Sequence, residues 1–393
     1  MALPWTLCSR SSPTATGLLD DRTRLDAPAR RHGWPGDDRW HRDPVPDGTD
    51  LLNEKDKTTR SATIFDVARL AGVSHQTVSR VLNDMPNVRA STRDRVQQAI
   101  TQLRYAPSPA ARALVTKRSR LVGLVVTAGV DYGPSSIALH VNEAARRARY
   151  SVLTIAMLAP DVTEVRQAIE SLVRQSVEGI VLVAADRAVV GASYEIESAV
   201  PVVTVDATRS AAGESVAIDQ HEGARLATEH LISLGHTAIA HLAGPATSPD
   251  SLERVRGWQS ALTAAGLPAT GLAHGDWSPG SGYAYGLDLA VDASCTAVFA
   301  SNDSMALGLV HALGDRGLRV PDDMSVVGFD DLPEAAHYRP PLTTVRQDFE
   351  ALGTLLVRRL LAAIEADGSA AVDHVTPELV VRQSTASPRH ARP

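Results

Sequence analysis

Cysteine is nearly absent from this chain of 393 residues: Cys8 and Cys295 are the only two. They lie far apart and outside any CxxC or Cys/His spacing, which argues against a disulfide framework and against a zinc finger or ribbon. No run approaches the roughly 18 uninterrupted apolar residues of a membrane span. The opening MALPWTLCSRSSP lacks the basic start and long apolar stretch of a signal peptide, so a cytoplasmic protein without a membrane partner is expected. Also missing are a GxxxxGK[ST] phosphate loop, a GxGxxG after a first strand, an HExxH pair and a GxSxG elbow. No enzyme, catalytic residue, cofactor or metal is therefore expected. His236 and His241 in GHTAIAH are five apart, a spacing that does not place them on one helix face.

What is present is a sharp division of charge. Residues 61–120 carry ten Lys/Arg against three Asp/Glu, a net of +7. Residues 1–60 carry ten of each sign, and residues 121–393 carry 19 basic against 32 acidic side chains, a net of -13. A small basic module on an acidic body favours a polyanion for the first and a different partner for the second.

The texture of the chain divides at the same places. Residues 1–60 are rich in Pro, Gly, Asp and Arg, have no sustained apolar period and read as a disordered extension. Residues 61–107 read as three short helices. TIFDVARLA begins with Thr63 and has Asp66 three residues on, a capping pair; STRDRVQQAITQL repeats the signal with Ser91 and Asp94. Val67, Ala71, Val73, Val78, Val81, Leu82, Val96, Ile100 and Leu103 would share one small core. Residues 108–120, containing SPAARALVTKRSR, form a basic, proline-containing connector.

From residue 121 to 393, β-rich runs such as LVGLVVT, GIVLVA and SVVGFDD alternate with helical segments at 134–149, 162–175, 221–234, 250–265 and 303–316. Alternation of this kind implies parallel sheets covered by helices on both faces. Its length suggests two doubly wound α/β lobes, with a ligand crevice at the carboxyl ends of the strands.

Two short helices joined through Gly72 make an all-α helix-turn-helix head-piece, with glycine where the turn needs close approach or a positive φ. With Val78 and Leu82 facing inward, His75, Gln76, Ser79 and Arg80 remain on the outer surface. Gln can bond an adenine edge and Arg a guanine edge with two hydrogen bonds each. In the body, Asp206, Asn302 and Asp330 close predicted strands and would point into the crevice, while Trp277 and Phe349 offer apolar faces for a sugar ring. Asp303 is expected to cap the helix SMALGLVHALG.

The stretch TIFDVARLAGVSHQTVSRVLN with VRASTRDRVQQAITQLRYAPSPAARAL resembles the LacI/GalR family of bacterial repressors. The likeness continues through HLAGPATSPDSLERVRGWQSAL, GDWS, SNDSMALG, VGFDD and PPLTTVRQDF. It implies a head-piece on a two-lobed core like that of periplasmic binding proteins. It also implies that His75, Gln76 and Arg80 read operator bases, that Thr63, Ser74, Thr77 and Asn83 hold phosphates, and that a hinge helix with Ala111 and Leu114 enters the minor groove. The same resemblance places effector contacts at Asp206, Arg254, Trp277, Asn302, Asp330, Gln347 and Phe349. The expected partners are double-stranded operator DNA, a sugar inducer such as a galactoside, and a second copy of the chain, because ELVVRQSTASPRHARP carries no leucine heptad for a larger assembly. The alternatives are a regulator with a small-molecule corepressor and a sugar-binding transport protein.

Overall fold

The computed structural model describes residues 62–82, 84–106, 118–127, 132–158, 161–207, 215–289, 295–365 and 373–389. The expected extension 1–60, Cys8, Asn83, and the hinge residues Ala111 and Leu114 lie outside them.

Helices α1 (Ile64–Ala71), α2 (His75–Leu82) and α3 (Ala90–Leu103) close around one small core. Val67, Ala68, Ala71, Val78, Val81, Val96 and Ala99 are buried there, and Val73, Leu82, Ile100 and Leu103 are only partly so. Thr63 and Asp66 form the expected capping box on α1. Gly72 ends α1 with φ 65°, a left-handed conformation without a Cβ penalty, so only Val73 and Ser74 separate it from α2.

The expected cap at Ser91 is corrected by the structure. Arg89 is the N-cap residue of α3 and makes no side-chain cap bond, which leaves Ser91 inside the first turn. The entry point is set by tertiary contact: Arg93 bonds Asp84 at 2.7 Å and the Met85 carbonyl at 3.0 Å, tying the first turn of α3 to the loop after α2.

The core holds two six-stranded sheets. In the first the order is β11-β5-β4-β3-β1-β2, comprising β1 (Leu121–Thr127), β2 (Ser151–Met157), β3 (Ile180–Val183), β4 (Val202–Val205), β5 (Ser215–Ile218) and β11 (Asp373–Val375). In the second it is β12-β10-β9-β8-β6-β7, comprising β6 (Ile239–Ala243), β7 (Leu272–His274), β8 (Ala297–Ala300), β9 (Ser325–Asp330), β10 (Thr343–Arg346) and β12 (Glu378–Val380). Among the described residues all strand pairings are parallel except β12 with β10. The central strands are buried from end to end, as helices on both faces require.

Eight helices accompany these strands among the described residues: α4 (Tyr132–Arg147), α5 (Val162–Arg174), α6 (Arg187–Ser193), α7 (Gln220–Ser233), α8 (Pro249–Ala264), α9 (Pro279–Leu289), α10 (Asp303–Asp315) and α11 (Phe349–Ile364). The five helices anticipated from sequence are all present within two residues of their expected bounds. The short α6, the glycine-rich α9 and the strongly apolar α11 were not anticipated. Nor were β5, β7, β10, β11 and β12, each only three or four residues long.

After β5 the chain leaves the first sheet for α7 and the second, returns through α11, and goes back from β11 to β12. The return is held by packing: Phe349, Leu352, Leu356, Val357 and Leu360 of α11 are buried in the core of the first lobe. In both sheets the strand order reverses beside the lobe's first strand in sequence, between β1 and β3 and between β6 and β8. Loops at the carboxyl ends of such switch points diverge and leave a crevice.

Asp303 is a second correction. The N-cap of α10 is Asn302, whose Oδ1 accepts from Met305 N at 2.7 Å. Asp303 is fully buried and instead accepts from the Thr344 hydroxyl at 2.6 Å and the Leu332 amide at 2.8 Å. Its carboxylate stitches β10 and the segment after β9 to the start of α10, and burial with Asp330 nearby pushes its pKa well above the usual range.

Candidate nucleic-acid interface and ligand cleft

On α2 the apolar side chains turn inward, with Val78 and Val81 buried. His75, Gln76 and Arg80 are exposed. Among the described residues no hydrogen bond or ion pair engages the Gln76 amide or the Arg80 guanidinium. Their donors and acceptors are therefore available to a partner. Ser74 and Thr77 stand at the helix start, where the Ser74 hydroxyl accepts from Thr77 N at 3.2 Å and lies 3.0 Å from the Thr77 hydroxyl. Ser74 thus caps α2. The Thr63 hydroxyl is committed to Asp66 at 2.6 Å. The capping roles of these side chains are what the geometry displays, and the free amides of a helix start remain suited to an anion.

Sequence reasoning missed Phe65. It is 60% exposed, yet its ring meets the His75 imidazole at a centroid distance of 5.2 Å and an interplanar angle of 45°. An exposed Phe on α1, two residues after the capping Thr, was the available signal.

The crevice between the lobes opens to solvent. Six of the seven anticipated ligand residues line it: Arg254, Trp277, Asn302, Asp330, Gln347 and Phe349. Asp206 does not. It is buried and accepts a hydrogen bond from the Tyr194 hydroxyl at 2.8 Å.

The switch points explain who lines the wall. Ser248, Pro249 and Asp250 begin α8 after β6, Asn302 begins α10 after β8, and Ala184 and Ala185 follow β3. Gln220 and Gln347 come from two of the interlobe crossings and bond each other across them at 2.9 Å. Gln347 Nε2 donates to Asp330 at 2.6 Å, while Arg254 Nε donates to Gln220 Oε1 at 2.9 Å and its Nη1 to the Ser301 carbonyl. Arg254 Nη2 lies 3.8 Å from Asp330, and the guanidinium carbon is 3.8 Å from the Phe329 ring centroid. Burial lowers the pKa of Arg254, and Asp330, Asp250 and Asp303 oppose that by stabilising its charge. The result is a buried polar network with most of its partners already in place.

Trp277 forms part of the same wall. Its backbone has φ 72°, unusual for a bulky side chain, and Asn302 Nδ2 holds its carbonyl at 3.0 Å. The ring lies over Gly244, where a Cβ would come within 2.2 Å of it, so glycine is required there. Asp330 is also outside the ordinary regions, at φ 107°. Strained backbone at two cleft residues fits a site whose side-chain directions matter. Gln220, Asp250 and Tyr132, which forms an edge-on pair with Phe349 at 5.7 Å, were missed from sequence.

His241 belongs to neither site. It is fully buried, stacked on Phe299 at 4.5 Å, with Nδ1 2.8 Å from the Phe299 carbonyl oxygen, and burial pulls its pKa down to about 3. Among the described residues no His, Cys, Asp and Glu side chains cluster in a way that could hold a metal. Nor is any described helix long and apolar enough to cross a membrane.

Comparison with known proteins agrees with both halves of this geometry. A family model for bacterial regulatory proteins of the lacI family matches residues 63–108, and one for a periplasmic binding protein-like domain matches residues 228–385. The lactose operon repressor of Escherichia coli (strain K12) is 35% identical over 332 residues, covering 84% of this chain and 92% of that protein. The transcriptional repressor PurR of Pasteurella multocida (strain Pm70) is 36% identical over 339 residues, covering 83% and 99%. A crystal structure of the Lac repressor dimer bound to operator and the anti-inducer ONPF matches with a TM-score of 0.75 at 34% identity, over 83% of this chain and 100% of the other. The complex of the transcriptional regulator CelR with cellobiose matches with a TM-score of 0.61 at 33% identity, over 82% and 99%. A helix-turn-helix head-piece, a two-lobed core of doubly wound sheets and relatives of this similarity over most of the chain lead to one conclusion: the protein belongs to the LacI family of DNA-binding transcriptional repressors.

Proposed function

We propose that this repressor binds a roughly palindromic operator as a homodimer and is released from it by a sugar. The observation that carries the sugar reading is the cleft network of Arg254, Gln220, Gln347 and Asp330, set beside Trp277 and Phe349. Donors and acceptors alternate around the wall next to apolar ring faces, and a pyranose presents the same alternation of hydroxyls with apolar C–H faces. The similarity to Lac repressor complexes with ONPF and ONPG and to a CelR–cellobiose complex supports the same choice. Under this reading His75, Gln76 and Arg80 read base edges, and Thr63, Ser74, Thr77 and Asn83 hold phosphates. Ala111 and Leu114 of the hinge enter the minor groove. Arg254, Trp277, Asn302, Asp330, Gln347 and Phe349 contact the sugar, and Asp206 supports the wall from behind. Dimerisation follows the Lac repressor dimer and gives the two-fold symmetry that a palindrome requires.

A second reading, a purine corepressor, rests on the similarity to PurR repressors. A thermal-shift screen of the full chain against mono- and disaccharides and purine bases separates the two, because a ligand of the folded state raises its apparent stability. Stabilisation by one or more sugars and none by purines is the expected result. Stabilisation by purines alone contradicts it.

A further inference from the structure

Resting on the reading of a sugar in the cleft, we propose that Asp250 makes the site a charge filter that accepts neutral or cationic sugars and excludes phosphorylated and carboxylated ones. The starting point is the difference between Asp250 and every other charged group nearby. Arg254, the guanidinium that could receive an anion, already donates to Gln220 and Ser301 and lies beside Asp330, with Phe329 covering one face. Asp330 accepts from Gln347 and Asp206 from Tyr194. By contrast, no hydrogen bond from the described residues reaches the Asp250 carboxylate, although it lines the cleft and is largely enclosed. A carboxylate in that position requires donors, and a ligand supplies them.

Charge then decides what kind of donor. The described lining residues carry two carboxylates, Asp250 and Asp330, against one guanidinium, Arg254. Burial raises the pKa of Asp250; the charge of Arg254, one turn along α8, opposes that rise, and the charge of Asp206 adds to it. The starts of α4, α7, α8, α10 and α11 reach the cleft, and all but that of α4 carry an acid in the first turn. At α8 Ser248 already caps the start, and Asp250 places a negative charge at its positive end. A phosphate or uronate would therefore enter a partly desolvated site against a carboxylate that no described residue hydrogen-bonds, and would meet Arg254 already engaged by Gln220 and the Ser301 carbonyl. A hydroxyl pair satisfies Asp250 without a charge, and an ammonium also neutralises it.

The test is calorimetric titration of the full chain with galactose, glucose and the disaccharide that the thermal screen favours, each beside its 6-phosphate, uronate and 2-amino analogues. At low salt the amino sugar binds at least as tightly as its neutral parent, and the acidic analogues bind on the order of 100-fold more weakly, since like charges brought together at a desolvated site are strongly disfavoured. Asp250→Asn keeps the shape and one acceptor but removes the charge. It brings the acidic analogues to within about tenfold of the parent and abolishes any preference for the amine. Asp250→Ser serves the same purpose if the Asn variant fails to fold, as judged by circular dichroism. An acidic analogue that binds wild type as tightly as its parent overturns the filter, as does discrimination that survives in both variants. Silence from every sugar overturns the sugar reading itself and the filter with it, whereas sugar binding without charge discrimination overturns the filter alone.

Discussion

Helix α2 and the crevice between the lobes both present Arg, Gln and a ring, yet they hold them in opposite ways. On α2, Gln76 and Arg80 are exposed and engaged by no described residue. In the cleft, Arg254, Gln220 and Gln347 are buried and bonded to one another and to Asp330. Under the proposed reading of α2, a groove of DNA brings its own acceptors and donors, which would complete side chains left uncommitted in the free protein. Under the proposed sugar reading, a small ligand has too few groups to organise a buried Arg and two amides, which are already bonded to one another here, and it would be left to satisfy positions such as Asp250. Cleft substitutions should therefore cost stability as well as binding, and helix substitutions should cost binding alone.

The largest expected effect breaks the contrast at its buried end. Arg254→Ala leaves Asp330 and Gln220 without their partner, and removing one member of a buried charged network costs about 3–5 kcal/mol. Chemical denaturation should show that loss; a cost below about 1 kcal/mol would mean that the network is not preorganised. At the exposed end, Arg80→Ala should leave the unfolding transition unchanged while operator binding weakens by about 1–3 kcal/mol, with relaxed specificity at the facing base. Fluorescence anisotropy on operator variants measures both.

Two smaller effects sharpen the account of the head-piece. Phe65→Leu removes the ring against His75, and an aromatic pair contributes about 0.5–1.5 kcal/mol. If the pair orients His75 toward DNA, that loss appears in operator affinity and disappears in a His75→Ala background, a double-mutant cycle that a merely local packing role would not satisfy. Thr63→Ala removes the hydroxyl half of the capping box and should lower head-piece stability by about 1 kcal/mol in thermal unfolding. Its capping role predicts this even if no phosphate touches it.

The two regions also differed in how far the sequence disclosed them. The head-piece is local: Thr63 to Leu82 spans one continuous stretch, the capping pair Thr63–Asp66 and the turn at Gly72 are adjacent, and helical period alone separated Val78 from His75 and Arg80. Even there the start of α3 was misplaced, because its entry is set by Arg93 reaching Asp84 and Met85 and not by the local Ser91–Asp94 signal. The cleft draws its wall from loops after several strands and from the interlobe crossings, so no window of sequence contains it. Its polar residues at strand ends were visible as Asn302 and Asp330, but the roles of neighbours were interchanged: Asn302 caps α10, and Asp303 ties β10 and the segment after β9 to the start of α10. Gln220 and Asp250 gave no signal at all, since a Gln or Asp at the start of a helix looks like an ordinary surface residue until the opposite lobe is in place.

The central claim is that occupancy of the cleft lowers affinity for DNA, and one titration tests it most directly. The full chain bound to an operator from its own upstream region is titrated with the sugar that most stabilises it, and DNA release is followed by anisotropy. The account predicts saturable release, abolished in a sugar-binding-deficient Arg254 variant that still folds and still binds operator, because a ligand shifts the equilibrium only by its differential affinity for the two states. Sugar binding that leaves DNA affinity unchanged, or tightens it, would contradict the account.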